Sequence, residues 1–457
     1  MSLLLACLLA SCSFTQGSVD SCSVDDDCRD AFGVGFVCLE SGFCEAANSE
    51  PRCETVWPVD LDENPEEYPG IILIGTIIDD SQVTHVARAQ SVELAVRDAN
   101  ESGGVDGRDF GLVVCTNKVD PTLDSQNQNE ASVAVTDFMS RLGVVAIVGP
   151  PSSDASQAVF EGASSDVILV SPSASSDELG SLSGPSTDES PGRFWRTTAP
   201  DAEQARRIAA DIQDRGLSSI AIVHAENSYG TGIATEVEAN LGGGIEVTLY
   251  PYATQGRLSE LSAEVGRGNA EEIVIVSSVT SEVTAFLQAA DDASRFEGTF
   301  FLTDAAANRD LVDGIPDEEA FLARIRGTRP QLPDAVTLDA FYARYNLTFS
   351  EDVRDLSFTS NAYDAAWISL YSIAWALLQE GGEINPVNVG RGLRRLSSGD
   401  EVSIRMSAWT TVIDAFTAGE SIDILGTSGS LDFDTSTREI SGDFVFWGVD
   451  SSGIVPL

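Results

Sequence analysis

The chain has 457 residues, more than one compact core holds, so two domains with additions are expected. Its formal net charge of −46, with Lys118 as the single lysine, excludes binding to phosphate backbones or anionic lipid headgroups and reads as a highly solvated acidic coat suited to salty surroundings. A hydrophobic content of 43% excludes global disorder.

Met1–Cys12 is a short apolar run ending in Leu9-Ala10-Ser11-Cys12, the pattern of a lipoprotein signal with Cys12 as the lipidated residue. No Lys or Arg precedes the run and the run is short, so the true start is expected upstream; an ordinary secretory signal or a buried apolar segment is the alternative reading. No later stretch approaches the ~20 apolar residues that a membrane span needs. Residues 13–58 have different chemistry. Cys22, Cys28, Cys38, Cys44 and Cys53 lie among Asp, Ser and Gly, five residues separating Cys22 from Cys28 and five separating Cys38 from Cys44. In an exported protein this reads as a disulfide-stapled module, whose first four cysteines allow three pairings. A zinc knuckle would call for close CxxC pairs, which are absent. Cys53 is left with Cys115, either as a bridge tying the module to the following domain or as two free thiols.

After an acidic linker at 59–68, strands alternate with helices, the pattern of a parallel sheet with right-handed crossovers. Ile71–Ile78 and Phe110–Val114 are apolar strands, and Gln82–Glu101 and Val133–Leu142 have helical periodicity. Val144–Val148 ends at Gly149-Pro150-Pro151, and Ser152-Ser153-Asp154 supplies cap chemistry for the helix that follows. Ile168–Val170 is broken by Ser171-Pro172-Ser173-Ala174-Ser175. Both loops emerge at the carboxyl edge of neighbouring strands, where open α/β sheets bind ligands. Their hydroxyls, free N–H groups and helix start suit an anionic group such as a carboxylate. Ser176–Pro191 is low in complexity and reads as an exposed insertion.

From Pro200 the βα pattern restarts and runs to the strand Thr299–Leu302, giving a second lobe. Phe321–Arg329 is a strand or a short helix, and Ser360–Gln379 is a helix apolar all round, placed in a core or between domains. Ser430–Phe433 and Asp443–Gly448 flank DTSTREISG and read as a β-hairpin; the loop lacks the glycine and final glutamate of a calcium loop. His85 starts a helix and His224 ends a strand facing the expected cleft, but neither has nucleophile or metal partners in sequence. No Walker A or dinucleotide glycine pattern occurs, so no enzyme chemistry and no cofactor are expected.

GPPSS before an Ala-rich helix, ILVSPSAS, VELAVRDANESGGVDGRDFGLVV, RFWRTTAPDAEQARRIAADI, IAIVHAENSYGTGIA and FLTDAA together resemble the type I periplasmic binding proteins. The likeness is to the branched-chain amino-acid and amide-binding components of ABC importers, and it covers most of Ile71–Val449. It implies two doubly wound parallel-sheet lobes joined by a multi-strand hinge, behind the Cys-rich stalk. The division is 69–197 for the first lobe, 198–320 for the second, 321–424 for the return to the first, and 425–457 for a C-terminal hairpin of the second. It implies that Ser153 offers its hydroxyl and N–H to a ligand carboxylate, that Ala174 offers backbone groups, and that Ser175 offers a hydroxyl in place of the usual Thr. Tyr229 would face the cleft from the second lobe, and Asp304 would pair with a ligand ammonium group. From the residues alone, Tyr229 caps a turn and Asp304 caps the helix after it. Ser277 and Ser278 stand where the family often has a larger cleft-lining residue, and the first 58 residues have no counterpart in its soluble members.

The expected function is capture of a small zwitterion, an amino acid or amide-like solute, for an ABC permease, by a protein held at the outer face of a membrane through its N-terminal lipid. The alternative is an envelope-anchored regulatory lipoprotein of the same fold with no transported ligand.

Overall fold

The strand Ile72–Ile78 is fully buried, and in the computed structural model it lies between Phe110–Thr116 and Ala146–Val148. The structure describes residues 21–457 except positions 48, 69, 121, 124, 126, 165, 294, 295, 334, 335 and 435; the expected signal at Met1–Cys12, with Cys12, lies outside the described residues. From Ala146–Val148 the first sheet continues through Ile168–Ser171 to Phe194–Arg196, all parallel. Alternate residues fill two cores. Ile72 and Ile74 face the helices Val83–Glu101 and Thr359–Gln379, while Leu73 and Ile77 face Val135, Met139 and Val159.

The second sheet repeats the plan. Glu246–Tyr252, Ser219–Ala225, Glu272–Val276, Thr299–Leu302 and Ile325–Pro330 run parallel, and Phe444–Asp450 and Gly453–Pro456 close the edge antiparallel. Ala221 and Val223 face one core, and Ile220 and Ile222 the other. In each sheet the strand order reverses beside the lobe's first strand, leaving a crevice at the carboxyl ends.

Two expectations need correction. Ile325–Pro330 still pairs within the second sheet, so the chain leaves that lobe after Pro330 rather than at 321. Ser430–Phe433 does not form a hairpin with the 443–448 segment: Leu431 and Phe433 stay in the first lobe's core, where the Phe433 ring meets Trp195 edge-on at 5.3 Å. The hairpin that does form joins Phe444–Asp450 to Gly453–Pro456. Asp434 turns the chain instead, accepting from Ser436 N at 2.7 Å and from Thr437 N at 3.3 Å. The 176–191 insertion is exposed over most of its length, as its composition suggests, and is also tied down: Asp188 accepts from Arg394 at 2.9 Å and Arg395 at 3.1 Å, and Leu179 is buried.

At the N-terminal end, Cys22 bonds Cys38 and Cys28 bonds Cys44, an interlocked pair of bridges that leaves none of these four sulfurs free for zinc. Cys53 bonds Cys115, joining the module to the first sheet. Thr55–Trp57 adds an antiparallel edge strand to that sheet, and the acidic 59–68 stretch packs back through buried Leu61 and a Tyr68–Asp60 hydrogen bond of 2.6 Å. No helix of the described residues is long and apolar enough to cross a membrane.

Candidate functional site

The carboxyl ends of both sheets face each other across a cleft with a residual cavity of about 30 Å³. The first lobe contributes two βα loops and the first turns of the helix Val83–Glu101. Gly149 has φ +117°, which an L side chain rarely adopts, and there the chain turns out of the Ala146–Val148 strand. Ser152 then caps the helix Ser153–Gly162, its hydroxyl accepting from Ala155 N at 3.4 Å.

Serine hydroxyls stitch the two loops together. Ser171 donates to Pro150 O at 2.9 Å and Ser173 to Pro151 O at 2.8 Å. Ser176 N donates to Ser153 Oγ at 3.2 Å, which leaves the Ser153 proton available for a ligand. Ser153 and Ser173 line the cleft. Ala174 and Ser175 do not: both are buried behind the wall, with Ser175 O accepting from Asp201 N at 2.9 Å. The expected pairing of Ser153 with Ser175 in the cleft wall is therefore corrected to Ser153 with Ser173. Strict alternation would put Ser173 and Ser175 on one side, but the strand ends at Ser171 and the chain bends at Pro172 and Ser173, which carries Ser175 behind the wall.

From the second lobe, Asn227 caps the helix Ser228–Leu241 by accepting from Gly230 N at 2.7 Å. Gly230 packs so closely that a Cβ would sit 2.3 Å from Ala225 O, and this seats Tyr229 against the sheet end. The Tyr229 hydroxyl donates to Asp304 Oδ1 at 2.6 Å, and Ala305 N donates to the same oxygen at 3.0 Å. Tyr229 and Asp304 line the cleft with Ser278, Thr280 and Ala305. Burial raises the Asp304 carboxyl above its ordinary range despite these donors, and burial with Asp304 nearby raises the Tyr229 phenol. Asp201, beneath the hinge, is raised well above the carboxylate range by burial and then by Asp304. His224 is buried, with Nδ1 3.1 Å from Ala225 O, and does not line the cleft. Ser277 turns to Glu282, to which it donates at 2.7 Å.

Sequence reasoning missed Arg88. Its guanidinium reaches into the cleft, Nη1 donating to Ser173 Oγ at 3.0 Å and Nε to Ser357 O at 3.0 Å, above the Phe358 ring at 5.0 Å. Phe358 is held at φ +64°, an uncommon conformation for a bulky residue, at the entry to the helix Thr359–Gln379. His85, one turn earlier, accepts from Asp79 N through Nδ1 at 3.2 Å; burial first, and then Arg88, push its pKa down to about 3, so it is neutral. Thr84, His85 and Arg88 recur at the three- and four-residue spacing of one helix face, a polar stripe that the sequence does carry.

The family model described as the receptor family ligand binding region matches residues 87–452. Among curated proteins, the chain is 25% identical over 365 residues to the chemotactic signal transduction system substrate-binding protein BasB of Halobacterium salinarum, covering 77% of this chain and 80% of that one. It is 24% identical over 308 residues to the leucine-, isoleucine-, valine-, threonine- and alanine-binding protein of Pseudomonas aeruginosa, covering 66% and 75%. Among solved structures, the branched-chain amino-acid transporter substrate-binding protein LivJ of Streptococcus pneumoniae, in complex with isoleucine, superposes with a TM-score of 0.64 at 18% identity, over 84% of this chain and 97% of that one. These relatives are binding proteins rather than enzymes, and the shared fold is that of the type I periplasmic binding proteins.

Proposed function

Because the chain belongs to the family of the receptor ligand binding region, we propose that it is an extracytoplasmic binding protein that captures a small amino-acid-like solute between its lobes and presents it to an ABC importer. One observation carries this reading. A polar cleft brings hydroxyls, a helix start and Arg88 from one lobe opposite Tyr229 and Asp304 from the other. The first set suits a carboxylate and the second an ammonium group, and closure strengthens both contacts by removing water. The ligand bridges the lobes and shifts an open–closed equilibrium, with no bond made or broken. The relatives named for binding leucine, isoleucine and valine support an amino-acid ligand. The relative named for chemotactic signal transduction supports a receptor as an alternative recipient of the closed form. Three disulfides favour an oxidising compartment outside the cytoplasm, and Cys12 is the residue that would carry a lipid anchor.

A thermal-shift screen against amino acids, short carboxylic acids, amides and polyamines tests the proposal. A stabilising solute whose effect is lost in Ser153→Ala plus Asp304→Ala supports capture. No stabilising solute, together with a recovered envelope partner, supports the regulatory alternative.

A further inference from the structure

Arg88 is 8% exposed, its Nε and Nη1 are bonded to the protein, and its Nη2 has no hydrogen-bond partner among the described residues. A buried guanidinium with an unused donor facing a cavity demands an acceptor, and a carboxylate matches its fork better than a neutral amide. The opposite wall makes no equal demand. Asp304 Oδ1 is already served by Tyr229 and Ala305 N, and Gln204 lies against the same carboxylate. Burial lowers Arg88 to about 9, which leaves it charged at neutral pH, and Asp304 is the one other charged side chain among the residues lining the cleft. The Ser173 hydroxyl accepts from Arg88 and donates to Pro151 O, so the guanidinium is fixed to the loop that starts the helix Ser153–Gly162.

We infer that Arg88 is a ligand-binding residue whose free Nη2 clamps the carboxylate of the solute, so that the site takes free acids and rejects the corresponding amides. This rests on the solute-capture reading above and narrows it, removing amide-like solutes from the ligand class. Rejection follows because an amide brings no charge to the guanidinium and turns an N–H donor towards donors.

The test is isothermal titration of the full chain with matched pairs: L-leucine with L-leucinamide, L-alanine with L-alaninamide, and benzoate with benzamide. The acid of at least one pair should bind, and its amide should bind about 100-fold or more weakly. Arg88→Gln should lose most of that preference by weakening the acid and not the amide. Arg88→Lys, which keeps the charge without the fork, should show an intermediate loss, and it preserves the test if the glutamine variant does not fold. An amide that binds as well as its acid, or acid binding unchanged in both variants, overturns the inference while leaving solute capture intact. No binding by any probe overturns solute capture as well.

Discussion

Asp154 and Ser228 meet across the cleft mouth, the Asp154 Oδ1 of the first lobe accepting from Ser228 N at 3.0 Å and from Ser228 Oγ at 2.6 Å. Each residue sits in the first turn of its helix, so the contact joins two helix starts through one carboxylate that both dipoles favour. It belongs to the closed arrangement of the lobes. Removing it with Asp154→Ala should favour the open form by about 1–2 kcal/mol and weaken solute affinity roughly tenfold. Small-angle scattering should report a larger radius of gyration for the unliganded variant. An unchanged radius and affinity would show that the contact does not hold the lobes together.

The Cys53–Cys115 bridge closes a 62-residue separation and fixes the module to the first sheet. Replacing both cysteines by serine should destabilise the chain by about 4 kcal/mol on the chain-entropy model. Chemical denaturation measures this, and limited proteolysis should then cut between the module and Ile72. Equal stability would mean that the edge strand Thr55–Trp57 alone anchors the module.

Asp364 is buried in the helix Thr359–Gln379 and accepts from Thr427 N and Oγ1 at 2.8 Å each, from Ser428 N at 2.7 Å and from Ser428 Oγ at 2.6 Å. Burial nevertheless raises its pKa to about 6. Between its unfolded value and about pH 6 the folded chain holds the proton more tightly than the unfolded chain does. The group's contribution therefore falls as pH rises through that window, by roughly 3 kcal/mol in all. Asp364→Asn should flatten this part of the stability profile, measured by denaturation at pH 4 and pH 6.5. His85, held neutral down to about pH 3, acts in the opposite direction and is unchanged in the variant, so the difference between the two proteins isolates Asp364. An identical slope in both proteins would contradict the assignment.

A charge of −46 over one chain makes self-repulsion a global cost of the folded state. Raising salt from 0.01 M to 1 M shortens the screening length from ~30 Å to ~3 Å, so the melting temperature should rise steadily over that range. A flat or falling curve in potassium chloride would show that the acidic surface is already compensated locally.

Much of the architecture was legible because apolar strand runs and helical spacing are local. Ile71–Ile78, Phe110–Val114 and Thr299–Leu302 all lie in the sheets that their patterns suggested. The 425–457 region was not, because Leu431 and Phe433 alternate as strand residues do while both are buried in the first lobe's core, where Phe433 meets Trp195, more than 200 positions away. At the site, loop chemistry pointed to Ser153, while Tyr229 and Asp304 followed only from the family resemblance; all three line the cleft. Ser175 could not be separated from Ser173, since an alternating run puts both on one side and only the bend after Ser171 decides which hydroxyl faces the cavity. Arg88 escaped for another reason: a lone arginine on a helix reads as a solvated face until the fold shows Phe358 and Ser357 closing over it.

Hydrogen–deuterium exchange of the full chain, with and without a mixture of free amino acids and short carboxylates, tests cleft capture most directly. The account expects slower exchange on both walls together, at 150–155 and 173–176 in the first lobe and at 227–230 and 303–306 in the second. Protection confined to one lobe, or exchange unchanged on both walls, would contradict it.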